Sequence, residues 1–226
     1  MLVHIKKVLS GEQIEDILRL LSDAQWGDGR ETAGYLSSRV KNNAQLTESD
    51  PTARKLGGLI LDALDRNQQF LSAALPLKVV PPLFNRYGGG QTYGSHIDGA
   101  MRPIGGTRLR VRTDLSATLF LSAPEDYDGG ELVIEDSFGE RRVKLPAGDM
   151  VLYPGTTIHS VAPVTRGTRI ASFFWIQSIV RDNARRALLY DLDGVVQVLG
   201  GASSAHAEAV RLAGIYHNLL RFWADS

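Results

Sequence analysis

From Leu77 to Ser178 the chain is cut into short runs rich in β-branched and aromatic residues: KVVPPLFNRY, LSATLFLS, GGELVIED, ERRVKLP, DMVLYP, IHSVAPV and TRIASFFWIQS. Gly, Pro, Asn and Asp stand between them. Short runs bounded by turn formers read as strands, because a helix needs its apolar period sustained over ten or more residues. Many short strands at roughly even spacing close into a sandwich or barrel, which leaves few open edges. A jelly roll fits the count. The expected fold is therefore mainly β, with helices at either end of the chain.

Those helices announce themselves by periodicity. Ile14, Ile17, Leu18 and Leu21 follow helical spacing, and Ser10 with Gln13 forms a capping box at the start. A second helix is expected from Pro51, with Ala53, Leu56, Leu59, Ile60, Ala63 and Leu64 as its apolar stripe. Beyond Arg181, RDNARRALLYDLDGVVQVL and SSAHAEAVRLAGIYHNLLRFWADS read as two helices divided at Gly200 and Gly201. The expected organisation is an N-terminal helical brace over 1–76, a β core over 77–180 and a C-terminal helical extension over 181–226. In the last helix Val210, Leu212, Ile215, Tyr216, Leu219, Leu220, Phe222 and Trp223 make a stripe too broad for one packing surface. The expectation is that it also meets a second copy of the chain in a homodimer.

Composition narrows the function. An apolar fraction of 43% over 226 residues fills a genuine core. Twenty-five basic residues balance 25 acidic ones, so no global charge steers the protein to nucleic acid or an anionic membrane. The N-terminus lacks the apolar core of a signal peptide, and the run IASFFWIQSIV is too short to span a bilayer. A soluble, cytoplasmic protein is expected. With no cysteine, disulfides and thiolate ligands are excluded, so any metal must use nitrogen and oxygen.

The chemistry concentrates in YGSHIDGA. On an extended strand His96 and Asp98, two apart, project from one face, and together they are two thirds of a facial iron site. The other histidine in the β-rich region is His159, 61 residues after Asp98. His4, His206 and His217 lie outside that region, where packing or surface roles are expected. Ten residues beyond His159 stands Arg169, among apolar neighbours that offer a buried guanidinium no partner. Such a group needs an anion, and a small dicarboxylate with one end on iron and the other on Arg169 would satisfy both.

This constellation resembles the signature of iron(II)- and 2-oxoglutarate-dependent dioxygenases with a double-stranded β-helix core. The spacing from Tyr87 to His96 in RYGGGQTYGSHID is similar to that of prolyl 4-hydroxylases. WGDGRETAG, VKNNAQL, LFNRYGGGQTYGSHIDGAMR, RTDLSATLFLS, YDGGELVIEDSFGERRVKLPAGDMVLYP and the terminal YHNLLRFW resemble bacterial PKHD-type hydroxylases of the iron-uptake-associated PiuC/YbiX group. The resemblance covers essentially the whole chain. It implies that His96, Asp98 and His159 hold iron(II), that Arg169 takes the distal carboxylate of 2-oxoglutarate, and that Tyr87 helps seat it. It also implies dioxygen as cosubstrate and L-ascorbate as reductant. The expected reaction is hydroxylation of a small molecule or peptide in a setting of iron uptake. A hydroxylase acting on protein side chains and a non-catalytic iron or 2-oxoglutarate sensor are the competing readings.

Other residues remain open. Arg108, Arg110 and Arg112 in RLRVRTD form the solvated face of a strand or line a pocket mouth. Trp26 is a core anchor or a lid, and Lys41, Asn42 and Asn43 are equally ambiguous. Gly88 to Gly90 lack the lysine and helix of a phosphate-binding loop and read as a flexible turn. Tyr93 reads as an ordinary strand aromatic.

Overall fold

The computed structural model describes residues 1–137, 139–202 and 205–225. Ser203, Ser204 and Ser226, which the sequence assigns to the last helical segment, lie outside them. In chain order the strands are β1 (Val3–Ile5), β2 (Gly27–Asp28), β3 (Lys41–Asn42), β4 (Ala44–Gln45), β5 (Pro76–Val79), β6 (Leu83–Gly88), β7 (Thr92–His96) and β8 (Met101–Pro103). They continue with β9 (Arg110–Arg112), β10 (Leu115–Phe120), β11 (Tyr127–Gly129), β12 (Leu132–Asp136), β13 (Gly139–Val143), β14 (Met150–Pro154), β15 (His159–Val161) and β16 (Val164–Ser178). The helices are α1 (Gly11–Ser22), α2 (Pro51–Asp65), α3 (Gln68–Ala74), α4 (Asn183–Gly200) and α5 (His206–Trp223).

The larger sheet runs β1-β14-β10-β16-β6-β4-β2, with β5 and β11 also pairing to β16. The smaller runs β13-β12-β15-β7-β3, and β8 pairs with β9 apart from both. Side chains alternate across a strand, so the larger sheet serves two cores. On its outer face Leu119, Leu152, Phe174 and Ile176 join Ile17, Leu21, Ile60 and Phe70 of the three N-terminal helices. On its inner face Phe120, Val151, Tyr153 and Tyr87 meet Leu132, Ile134 and Val161 of the smaller sheet. Strand β10 is buried at all six residues because both its faces are covered. The architecture is the double-stranded β-helix with flanking helices that the strand count predicts.

The starts of α1 and α2 fall where their caps place them. Ser10 Oγ accepts from Gln13 N at 3.2 Å while Gln13 Oε1 accepts from Ser10 N at 2.9 Å. Asp50 caps α2 with Pro51 at its first position. Strand β1 and helix α3 carry no periodic signal in the sequence, since three and seven residues are too few to display a period. At the other end Tyr216, Leu219, Leu220 and Trp223 of α5 pack with Leu75, Val180 and Leu189. Val210, Ile215 and Phe222 stay exposed, Phe222 at 84%. Among the described residues no helix is long and apolar enough to cross a membrane.

Candidate active site

Strands β7 and β15 pair so that His96 lies directly opposite His159, and their rings stand 4.3 Å apart. Asp98 reaches the same point by a different route from the one its spacing suggested. β7 ends at His96, and the loop that follows returns Asp98 to the pair. Its Oδ2 accepts a hydrogen bond from Ser116 Oγ of β10 at 2.7 Å and lies 3.7 Å from His159 Nε2. One ligand atom from each of the three residues lies within 4.8 Å of the others.

The local backbone sets the protonation of both rings. His96 Nδ1 is 2.9 Å from Gly94 O and His159 Nδ1 is 3.0 Å from Thr157 O. A carbonyl can only accept, so each Nδ1 carries the proton and donates, leaving the Nε2 lone pair free. Burial, and then the neighbouring His159, lowers the His96 pKa to about 4, so the ring is neutral at ordinary pH. Tyr93 stacks on His96 at 3.6 Å and the edge of Tyr153 abuts His159 at 5.2 Å. Two imidazoles, each anchored through Nδ1, plus one carboxylate are a donor set that fits iron(II).

Arg169, on β16, pairs in register with Tyr87 on β6. It is 1% exposed, and its Nε has no hydrogen-bond partner. The other fully buried arginine is a useful contrast. Arg186 Nη1 donates to the carbonyls of Val180 and Arg181 at 2.5 and 2.7 Å, which makes it a tie from α4 back to the segment that follows β16. Arg169 has aromatic walls instead, Phe120 at 5.2 Å and Tyr87 at 5.5 Å. The Tyr127 hydroxyl lies against the guanidinium, whose charge and hydrogen bond hold back the rise that burial gives the Tyr127 pKa. Burial raises the Tyr87 pKa to about 12 against the opposing pull of Arg169, keeping its hydroxyl a donor. A buried guanidinium with neutral phenols beside it and, among the described residues, no carboxylate in an ion pair with it is an unfinished anion site.

One cavity of about 700 Å³ is lined by the three candidate ligands, Tyr87 and Arg169. Lys41, Asn85 and Arg102 line it too. The remaining sequence candidates lie elsewhere. Arg108, Arg110 and Arg112 do not line it, and Arg112 is bound to Asp114 at 2.6 Å. Trp26 is a core anchor, its Nε1 donating to Leu21 O at 3.2 Å and Arg86 lying over its ring. His4 is tied to Asp149 at 2.7 Å. Gly89 and Gly90 take positive φ in the turn leaving β6. Sequence reasoning missed Asn85, Arg102, Ser116, Tyr127 and Tyr153. Each sits on or beside an ordinary-looking strand, and the sequence does not mark which face of that strand turns inward.

Residues 82–177 match the 2OG-Fe(II) oxygenase superfamily, and residues 183–225 match the PKHD-type hydroxylase C-terminal domain. A PKHD-type hydroxylase of Methylobacillus flagellatus is 57% identical and one of Bordetella pertussis 56% identical, each alignment covering 100% of both chains. Among solved structures, a Trichoplax adhaerens prolyl hydroxylase complexed with a hypoxia inducible factor peptide covers 83% of this chain and 86% of its own, with TM-score 0.55 and 17% identity. The carbocyclase SnoK of nogalamycin biosynthesis covers 79% and 80%, with TM-score 0.56 and 16% identity. At those identities the structural likeness concerns the fold, which both share with the present chain. The full-length relatives decide the family: the chain belongs to the PKHD-type hydroxylases, enzymes of the iron(II)- and 2-oxoglutarate-dependent oxygenase superfamily.

Proposed function

We propose that His96, Asp98 and His159 hold the iron, and that Arg169, with Tyr87 beside it, binds the distal carboxylate of 2-oxoglutarate. The substrate is a small molecule or peptide, in the setting of iron uptake. The observation carrying this reading is that the Nε2 atoms and Asp98 stand in the same cavity as a buried arginine that, among the described residues, forms no ion pair. Bound iron supplies the oxidation of a C–H bond by dioxygen, coupled to conversion of 2-oxoglutarate to succinate and carbon dioxide, with L-ascorbate restoring iron left oxidised.

The chain's own part is positional. Gly94 O and Thr157 O hold the two imidazoles in one tautomer, and Ser116 holds Asp98 as an oriented carboxylate. Arg169 fixes one end of the diacid, leaving its 2-oxo acid end toward the metal ligands. Tyr87, Phe120 and Tyr153 wall the interior with aromatic surface that excludes water.

Anaerobic protein given ferrous iron and 2-oxoglutarate is expected to develop a visible metal-to-ligand band, and to form succinate once oxygen and ascorbate are added. Asp98→Ala should do neither. A band without turnover under any condition would favour the sensor reading. Absence of both in the wild-type chain would overturn the proposal.

A further inference from the structure

The cavity contains a cation for which the iron and 2-oxoglutarate site has no use. Lys41, on β3, is 5% exposed, and its ammonium donates to Thr32 Oγ1 at 3.1 Å and Gln45 Oε1 at 2.9 Å. Both acceptors are neutral, and an ammonium has a third donor to place. The same Nζ lies 5.2 Å from the Tyr93 ring and 5.9 Å from that of Phe173. Aromatic faces tolerate a cation without neutralising it. Among the described residues no carboxylate stands within ion-pair distance of Lys41. A neutral side chain would tie Thr32 to Gln45 at less cost than a buried charge, so the tie alone does not account for a lysine.

Arg102 stands beside it. Its guanidinium lies 4.8 Å over Trp175, and Nη1 donates to Thr32 O at 3.2 Å, so Lys41 and Arg102 grip the same residue. Nη2 meets Glu48 at 2.7 Å, and Nε has no partner. With iron and 2-oxoglutarate held as proposed, iron matches Asp98 and one carboxylate of 2-oxoglutarate, Arg169 matches the other carboxylate, and Glu48 offsets Arg102. Lys41 is left uncompensated. This corner is also distinct from the Arg169 end: Phe173, beneath Lys41, is four residues farther along β16, roughly 13 Å of strand.

We infer that the substrate is an anion, which sets a carboxylate or similar negative group on Lys41 with Arg102 beside it, in the part of the cavity next to Tyr93 and His96. The inference rests on the proposed iron and 2-oxoglutarate reading of the site. It narrows the substrate class to acidic small molecules or peptides with an acidic group. The negative end is anchored on β3, and a neutral carbon is presented to the metal side.

The test uses protein loaded with manganese(II) and 2-oxoglutarate without oxygen, titrated with benzoate and with benzamide, its uncharged isostere. Wild-type protein is expected to bind benzoate at least tenfold more tightly. Lys41→Met should bring the two within twofold, and Lys41→Arg should keep the preference. Lys41→Gln, run in parallel, serves if Lys41→Met does not melt as a folded protein. Equal binding in the wild type, or a preference that survives both neutral substitutions, overturns the inference. So does a tenfold loss of 2-oxoglutarate affinity in those variants, which would place Lys41 in the cosubstrate site. The same titration repeated without metal and 2-oxoglutarate separates the two ideas. Failure of wild-type protein to bind 2-oxoglutarate sinks the reading of the site, whereas the Lys41-dependent preference for benzoate stands or falls by itself.

Discussion

An imidazole gives a lone pair to a metal only if its other nitrogen has somewhere to put a proton. Here both acceptors are carbonyls two residues earlier in the chain, Gly94 for His96 and Thr157 for His159. The tautomers are therefore set locally, while the meeting of the rings depends on strand pairing. His96→Ala and Asp98→Ala are each expected to abolish iron-dependent succinate formation while the melting transition persists. Ser116→Ala removes only the bond to Asp98 and should weaken metal binding by about 10–100-fold, read by competition with a chelator. Arg169→Ala should mainly raise the KM for 2-oxoglutarate. Lys41 gives a pH signature. Burial, then Arg102, lowers its pKa to about 8, with Asp98 and Asp28 pulling the other way. Between about 8 and 10.5 the unfolded chain keeps a proton that the folded chain releases, so stability contributed by this group rises with pH. Urea unfolding should show wild type gaining on Lys41→Met across that window; a constant difference would sink the assignment. His96, Asp98, His159 and Arg169 could be picked out from the sequence because charged or ligating side chains are conspicuous among apolar ones. Asn85, Ser116 and Tyr153 could not, because a polar or aromatic residue on a strand does not declare which face it occupies.

At the scale of elements, β10 and β16 carry the molecule, since helices cover one face of each and the smaller sheet covers the other. Leu119, fully buried on β10, should cost about 2–5 kcal/mol when replaced by alanine, measured by denaturant unfolding. Ser10→Ala, which removes half of a reciprocal cap on an exposed helix end, should cost only about 1 kcal/mol. The difference reflects what each residue loses: packing on all sides in one case, one hydrogen bond at the surface in the other. Elements long enough to repeat a pattern, such as α1, α2 and β16, could be read from the sequence. Two-residue pairings such as β2 with β4 carry no period at all, yet β4 also pairs with β6 and brings Gln45 opposite Asn85.

For the whole molecule, the exposed Val210, Ile215 and Phe222 on α5 bear on assembly. The homodimer expected from that helix predicts a solution mass of twice 24.7 kDa by light scattering, reduced to the single value by Phe222→Glu. A single-chain mass for the unaltered protein would retire the idea. The larger consequence comes from where the two ends of the candidate site are anchored. His96 and His159 belong to the smaller sheet and Arg169 to the larger. Facing sheets sit about 10 Å apart because their side chains interdigitate. On the proposed site a diacid held at both ends would be a strut between the layers, and the sandwich would work as a caliper for its length. A four-carbon 2-oxo diacid should then fall short of the jaws and a six-carbon one should buckle between them, which would make cosubstrate choice a matter of the thickness of the fold itself.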